Sequence, residues 1–358
     1  MGIRFIGHKQ KLVSNIVSII DSTVEDSTCI GDLFTGTGSV AAGLKRSGYS
    51  VIANDILLHC CLSARAQLCN PPQPTFDTLL GNVPDISNVT NQFIQRSGYT
   101  QTLSYLNQIE GISGFVYSNY SPEGTADREE PRRYFINENA KHVDAIRQRV
   151  HQWHDEGLIN DNEHALLVYD LVRAMNEVAN TAGTYGAFLK SWYERARDPL
   201  ELTPAEIPDG RLNHEIYQQD ANELATDISI SAVYLDPPYT KRQYASNYHL
   251  PETIAKKENP TVSGKTGLPD WKSKSSDYCH KRRAGKKLDA LLSNLDVEYG
   301  FLSYSDEGHI TPEELEEILT SHGSVKLHTF DHQRYKSNTK ARSGELTEIL
   351  YVIDFNDG

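Results

Sequence analysis

Asp32-Leu33-Phe34-Thr35-Gly36-Thr37-Gly38-Ser39-Val40 joins a short apolar run, Thr28 to Phe34 (TCIGDLF), to a stretch of helical composition, Val40 to Lys45. A second run, Tyr49 to Asn54 (YSVIAN), follows and ends at Asp55. Strand, glycine turn, helix and strand make one βαβ unit. Such crossovers are right-handed in nearly all proteins, so the pattern predicts a parallel sheet. Glycines at the strand-to-helix turn let backbone approach a ligand at the carboxyl end of a parallel strand. Asp55, nineteen residues beyond Gly36, is placed to accept both hydroxyl hydrogens of a ribose. The third close glycine of a dinucleotide site is missing, because Gly43 falls five residues after Gly38. That favours a nucleoside cofactor without a pyrophosphate. S-adenosylmethionine qualifies, and its ammonium and sulfonium charges suit Asp32. A turn that is merely structural is the alternative reading of a lone G-x-G.

Outward from this unit, a helical stretch, Ile56 to Leu68, stops at Asn70-Pro71-Pro72, where proline breaks the pattern. His142 to Trp153 places Val143, Ile146, Val150 and Trp153 at helical spacing, and Glu163 to Ala179 is a longer amphipathic helix. We read 71–209 as a mainly helical insertion, with Pro199 to Gly210 as the return linker. Strand signals resume weakly at Ile216-Tyr217 and clearly at Ile230 to Leu235 (ISAVYL). Phe301 to Tyr304, Ser324 to Phe330 and Leu346 to Phe355 complete seven strands. Thr311-Pro312-Glu313-Glu314 opens a helix between the first two of these, with Thr at the N-cap and Pro at N1. The last two strands are expected to pair antiparallel at the sheet edge. The fold class is therefore α/β, a Rossmann-like seven-stranded sheet formed by 1–70 and 210–358 around the helical insertion.

Asp236-Pro237-Pro238-Tyr239 follows the ISAVYL strand directly. Two consecutive prolines end the strand and hold the backbone rigidly, fixing Asp236 at the strand tip with Tyr239 beside it. An exocyclic amino group on a nucleobase has its lone pair delocalised into the ring and is a poor nucleophile. A carboxylate and a rigid carbonyl, each accepting one N–H, would favour pyramidal nitrogen and free that lone pair. Tyr239 offers a face on which an extruded base stacks, a contact worth ~1–3 kcal/mol. A plain turn is the bland alternative for D-P-P alone.

Other chemistry is not indicated. No cysteine follows a proline, so the nucleophile for methylation at a ring carbon is missing. His151 and His154 form an H-x-x-H without a third ligand of suitable spacing, and we expect solvated histidines rather than a metal site. No phosphate-binding G-x-x-x-x-G-K-[ST] exists. No run approaches ~18 apolar residues, which excludes a transmembrane helix, and no signal-peptide core is seen at the N-terminus. Five cysteines without a C-x-x-C suit a reducing cytoplasm. Net charge is −13, which argues against an anionic partner until its distribution is read. Thr240 to Ala290 carries twelve Lys/Arg against five Asp/Glu, and Lys326 to Arg342 five against one. These segments, +7 and +4, leave −24 for the rest, and two basic loops on an acidic body fit a phosphate-facing cleft.

Together these residues resemble the D12-class (alpha-group) adenine-N6 DNA methyltransferases. The N-terminal Ile6-Gly7-His8-Lys9-Gln10-Lys11-Leu12 resembles that group's motif X, and the order of motif X, glycine motif, insertion and D-P-P-Y is the group's order. Asp236 to Leu250 (DPPYTKRQYASNYHL), Pro251-Glu252-Thr253-Ile254, Gly264-Lys265-Thr266-Gly267-Leu268, Asn180 to Lys190 (NTAGTYGAFLK) and Arg334-Tyr335-Lys336-Ser337-Asn338 are closer still to the FokI-type modification methylases. Thr240 and Pro251 depart from the pattern near the target base.

The resemblance implies transfer of a methyl group from S-adenosylmethionine to the N6 amino group of a flipped adenine in duplex DNA. It implies that Asp236, Pro237, Pro238 and Tyr239 are catalytic. Lys9, Gly36 and Gly38 would line the cofactor's methionine moiety with Asp32 facing its ammonium, and Phe34 would share the cofactor site. Asp55 would bind the ribose. Asp220 stands where the family has an acidic residue near the cofactor adenine, although an ordinary helix N-cap explains it nearly as well. The insertion would be the target-recognition domain. Lys241, Arg242, Arg282, Arg283, Arg334 and Lys336 are expected at DNA phosphates. Tyr244, Asn247 and Tyr248 are expected around the flipped base. The rivals are a cytosine-N4 or RNA adenine methyltransferase, and a non-catalytic DNA-binding subunit. The acidic body permits a protein partner such as a restriction or defence subunit, and a monomer is the default.

Overall fold

The computed structural model describes residues 5–7, 9–24, 29–88, 97–210, 213–333 and 345–357. They form two compact units. One comprises Gly7–Ala64, Pro208–Ala245 and Lys272–Gly358; the other comprises Met1–Ile6, Arg65–Ile207 and Ser246–Trp271.

The first unit holds a seven-stranded sheet. Its strands are β1 (Cys29–Asp32), β2 (Ser50–Asn54), β3 (Glu215–Tyr217), β4 (Ala232–Leu235), β7 (Tyr299–Ser305), β8 (Ser324–Gln333) and β9 (Glu345–Asp354). The spatial order is β3-β2-β1-β4-β7-β9-β8. Strands β3, β2, β1, β4 and β7 are mutually parallel, whereas β9 runs antiparallel between β7 and β8. All four residues of β4 are buried, as are the last three of β1 and the last four of β2. That is why these strands read as apolar runs rather than alternating ones: helices cover both faces of a parallel sheet. The expected hairpin of the last two strands is present, with β8 at the edge.

The glycine motif folds as expected. Gly36 and Gly38 adopt φ of 52° and 77°, the left-handed region open to glycine, and the helix Ser39–Arg46 begins directly after them. Gly43 has a packing purpose. A Cβ there would lie 2.5 Å from Val13 Cγ1, so its absence lets the helix Val13–Asp21 close on the helix Ser39–Arg46. Thr311 accepts the Glu314 amide as N-cap of the helix Pro312–Thr320, with proline in its first turn.

The second unit is mainly helical, around Asn137–Asp155 and Asp161–Val178 joined by five residues. Asn160 and Glu163 form a reciprocal capping box at the start of the latter. Asp144 accepts the amides of Gly114, Val116 and Tyr117, anchoring the start of the helix Phe115–Tyr120. A short antiparallel pair, β5 (Val262–Ser263) and β6 (Leu268–Pro269), belongs to the same unit. The expected boundary at 209–210 therefore misses a second excursion: Ser246–Trp271 packs with the helical unit. One tie is the buried Arg147, whose guanidinium reaches the carbonyls of Lys256, Lys257 and Glu258 and the side chain of Asn259.

His151 corrects the expectation of solvated histidines. It is buried, donates from Nε2 to the Ile254 carbonyl at 3.0 Å, and its Nδ1 lies 3.0 Å from Nε2 of His164. It serves as a satisfied core histidine because the Ile254 carbonyl, in the helix His249–Ala255, accepts its Nε2 proton. Among the described residues no three histidine, cysteine or acidic side chains gather to hold a metal ion, and no helix is long and apolar enough to cross a membrane.

Candidate active site

Parallel pairing brings the tips of β2, β1 and β4 to one edge. Asp32 ends β1, Asp55 follows β2, and Asp236 follows β4. Buried Asn54, at the end of β2, ties that tip to the chain leaving β1 and to the chain leaving β3. Its amide nitrogen donates to the carbonyls of Leu33 and Gln219, each at 3.1 Å, and its oxygen accepts the Gln219 amide. Nothing in the sequence distinguishes this asparagine at a strand end from a turn former.

Asp55 is tied down at both oxygens. Oδ2 accepts the Gly36 amide at 3.0 Å and Oδ1 the Leu57 amide at 2.9 Å. Asp32 is 1% exposed, and neither carboxylate oxygen has a well-directed hydrogen bond among the described residues. Burial pushes its pKa up to about 7, against the lowering influence of nearby Thr35 and the Phe34 backbone. A buried, unpartnered carboxylate at the glycine turn is the complement of a cation such as the methionine ammonium.

Asp220 is the N-cap of the helix Ala221–Leu224, accepting the Asn222 amide at 2.8 Å, and it also pairs with Lys287 at 3.4 Å. Phe34 meets Tyr278 edge-on at 5.2 Å, and Tyr278 donates to Asn222. Phe34, Tyr278, Asn222 and Asp220 thus form a linked group beyond the glycine turn, of which the sequence indicated only Phe34 and Asp220.

At the tip of β4, Asp236 has a side chain 17% exposed and lies 3.3 Å from Lys9 Nζ, an ion pair without a directed hydrogen bond. Its carboxyl is pushed up to about 6 by burial, with Lys9 lowering it and Glu348 raising it. Lys9 also lies 5.4 Å above the Tyr239 ring. Tyr239 leans on Tyr304 at 5.7 Å, and its hydroxyl runs close under Gly7, whose φ of 72° lets the N-terminal segment pass. Lys9 was expected against the cofactor; the structure places it on Asp236 and on Glu348, 2.9 Å away. Glu348 is a site residue that the sequence marks only as an acid directly before the apolar run Ile349 to Ile353.

Lys241, Arg242, Arg282 and Arg283 are exposed in this unit, Arg283 with an ion pair to Asp277. Tyr244 is half-buried there, within reach of Gly7. Asn247 and Tyr248 fall in the helical unit instead. Tyr248 is fully buried, stacked on Phe5 at 4.3 Å, with its hydroxyl accepting the Ile6 amide. Its ring is engaged in packing on Phe5. Arg334 and Lys336 lie outside the described residues.

A mostly parallel seven-stranded sheet, closed by one antiparallel strand and carrying a glycine turn and an Asp-Pro-Pro tip on adjacent strands, defines the Rossmann-like methyltransferase class. Comparison with known families narrows this. The model of the D12 class N6 adenine-specific DNA methyltransferases matches residues 5–318, and the chain belongs to that family. It is 36% identical to the type II methyltransferase M.FokI of Planomicrobium okeanokoites and 34% identical to the modification methylase StsI of Streptococcus sanguinis. Each match covers 98% of this chain but 52% and 51% of the relative, so the chain spans about half the length of these two. The type II methyltransferase M.NlaIII of Neisseria lactamica is 32% identical over 98% of both chains.

Proposed function

We propose that the protein is a site-specific DNA methyltransferase that modifies the N6 amino group of adenine in duplex DNA, as a modification enzyme of the restriction-modification kind. Asp236 carries the proposal: a largely buried carboxylate, fixed by two prolines at the same sheet edge as the glycine turn and Asp55. S-adenosylmethionine fits the residues present, because Asp32 is a buried carboxylate in want of a cation and Asp55 is braced for a ribose. When bound, the cofactor supplies a methyl group activated by its sulfonium charge.

The chain's own residues do the rest. Asp236 and the Pro237 carbonyl each accept one N6–H of the flipped adenine, which localises the lone pair that forms the new N–C bond. Tyr239 stacks on the base. Transfer leaves N6 with one proton too many, and Asp236, with a pKa of about 6, is a suitable acceptor for it. The Asp32 carboxylate holds the ammonium, Asp55 the ribose hydroxyls, and Asp220 with Phe34 the adenine end. Lys241, Arg242, Arg282 and Arg283 contact phosphates, and the helical unit reads base edges with Arg, Lys, Asn and Gln side chains. A cognate endonuclease is the partner this role calls for.

The test is incubation with S-adenosylmethionine and unmethylated genomic DNA, followed by digestion to nucleosides and mass spectrometry. N6-methyladenine is expected. N4-methylcytosine would keep the amino-group chemistry and overturn the base, and methylation of RNA alone would overturn the substrate.

A further inference from the structure

Glu348 reaches the reactive edge by an unusual route. Leu235 at the end of β4 pairs with Leu302 of β7, and Ser305, three residues further along β7, pairs with Glu348 of β9. Because β9 runs antiparallel, its beginning rather than its end arrives at the edge where Asp236 sits. Glu348 Oε2 lies 2.9 Å from Lys9 Nζ, with side chains 9% and 4% exposed. One buried ammonium thus faces two carboxylates, and it is the carboxylate of Asp236 that has the longer, undirected contact.

We infer that Glu348 is a positioning residue for methyl transfer: by holding the Lys9 ammonium, it keeps Asp236 free to accept the amino hydrogens of the target base. The inference rests on the proposed methyltransferase reading. Two roles combine. Lys9 gives Asp236 a nearby positive charge, without which burial alone would favour the neutral acid. Glu348 limits that help, because an ammonium bonded squarely to Asp236 would occupy its lone pairs and make it a weaker base. Among the described residues, the other groups facing the trio are the Tyr234 hydroxyl, which donates to Ser303, the Tyr239 ring, Asp32 and, toward Tyr239, Glu307. Burial raises both tyrosines far above neutral, so they stay uncharged while Asp236 titrates.

Glu348→Gln and Glu348→Asp in the full chain test this. The Gln variant should bind S-adenosylmethionine within about threefold of wild type but lose about tenfold or more in kcat. The acidic limb of its rate profile should move to lower pH, since removing one negative neighbour makes Asp236 easier to ionise. The Asp variant keeps the charge one methylene further away and should fall between the two in both measures. If the Gln variant does not fold, an Asp variant with wild-type kcat and an unmoved limb overturns the inference. Equal losses in both variants with no shift of the limb overturn it too, pointing to packing alone. Carboxylate 13C titration of Asp236 without cofactor separates this from the parent reading. A lower midpoint in the Gln variant supports Glu348's control of Asp236 even if no DNA is methylated, and an unchanged midpoint refutes it.

Discussion

The Gly36 amide donates a 3.0 Å hydrogen bond to Oδ2 of Asp55, so the glycine turn after β1 and the carboxylate after β2 are one preorganised piece. With Oδ1 held by Leu57, the carboxylate keeps its orientation before any ribose arrives. Asp55→Ala removes both the expected ribose acceptor and the brace on the turn. Charge-assisted hydrogen bonds are each worth about 1.5–3 kcal/mol, so equilibrium titration should show S-adenosylmethionine binding weakened at least about tenfold. Unchanged affinity would remove Asp55 from the cofactor site.

Asp236→Ala should separate binding from transfer. Asp236 has no part in the Gly36–Asp55 linkage, so cofactor affinity should stay close to wild type. Turnover should fall by about 10³-fold or more, as when a preorganised group at a reacting centre is removed. A variant that methylates DNA at a comparable rate would mean that another group activates the amino nitrogen.

Asp32 predicts a pH dependence. An unfolded aspartate titrates near 4, whereas burial holds Asp32 up to about 7. Between those values the folded chain binds the extra proton, so this group's contribution to stability is lost as pH rises through the window. Buried His164 and His249, pushed down to about 3 and about 4, act in the opposite sense between their folded values and about 6.5. The difference between wild type and Asp32→Asn isolates the aspartate. The variant without cofactor should unfold at a higher temperature than wild type at pH 8 and gain little at pH 4.5. It should also bind S-adenosylmethionine more weakly, having lost the partner of its ammonium.

In the helical unit, fully buried Arg132 donates to the carbonyls of Lys265, Asn119 and Gly264 and so fixes the β5–β6 turn. Tyr120 and Tyr134 add bonds to the carbonyls of Gly267 and Thr266. Arg132→Ala would leave three carbonyls without a donor and cost about 3 kcal/mol or more. Hydrogen exchange should show the segment from Gly264 to Gly267 losing protection first. Arg132→Lys should not rescue it, since a single ammonium cannot span the fork of a guanidinium.

Local patterns carried much of the fold. The run of apolar residues, two glycines and a helix around Gly36 is legible because steric limits on φ single out glycine at that turn. Asp236-Pro237-Pro238-Tyr239 is legible because proline leaves the backbone so few choices. Glu348 and Asn54 were not, because each owes its role to partners hundreds or tens of residues away: Lys9 lies 339 positions from Glu348, and Asn54 lies 165 from Gln219. The packing of Tyr248 was not legible for the same reason. An aromatic residue in a polar loop looks available until its ring is seen stacked on Phe5.

The sequence by itself determined the βαβ start, the rigid acidic tip, the order of the motifs and hence the family. Each of these depends on neighbours within a few residues, where backbone sterics and strand or helix period decide. Only the tertiary structure decided that Ser246–Trp271 returns to the helical unit, that His151 is a core residue, and that the antiparallel β9 delivers a glutamate to the tip of β4. Those outcomes depend on register and on which buried charges must share a partner, and the low dielectric of the interior settles them across the whole chain at once.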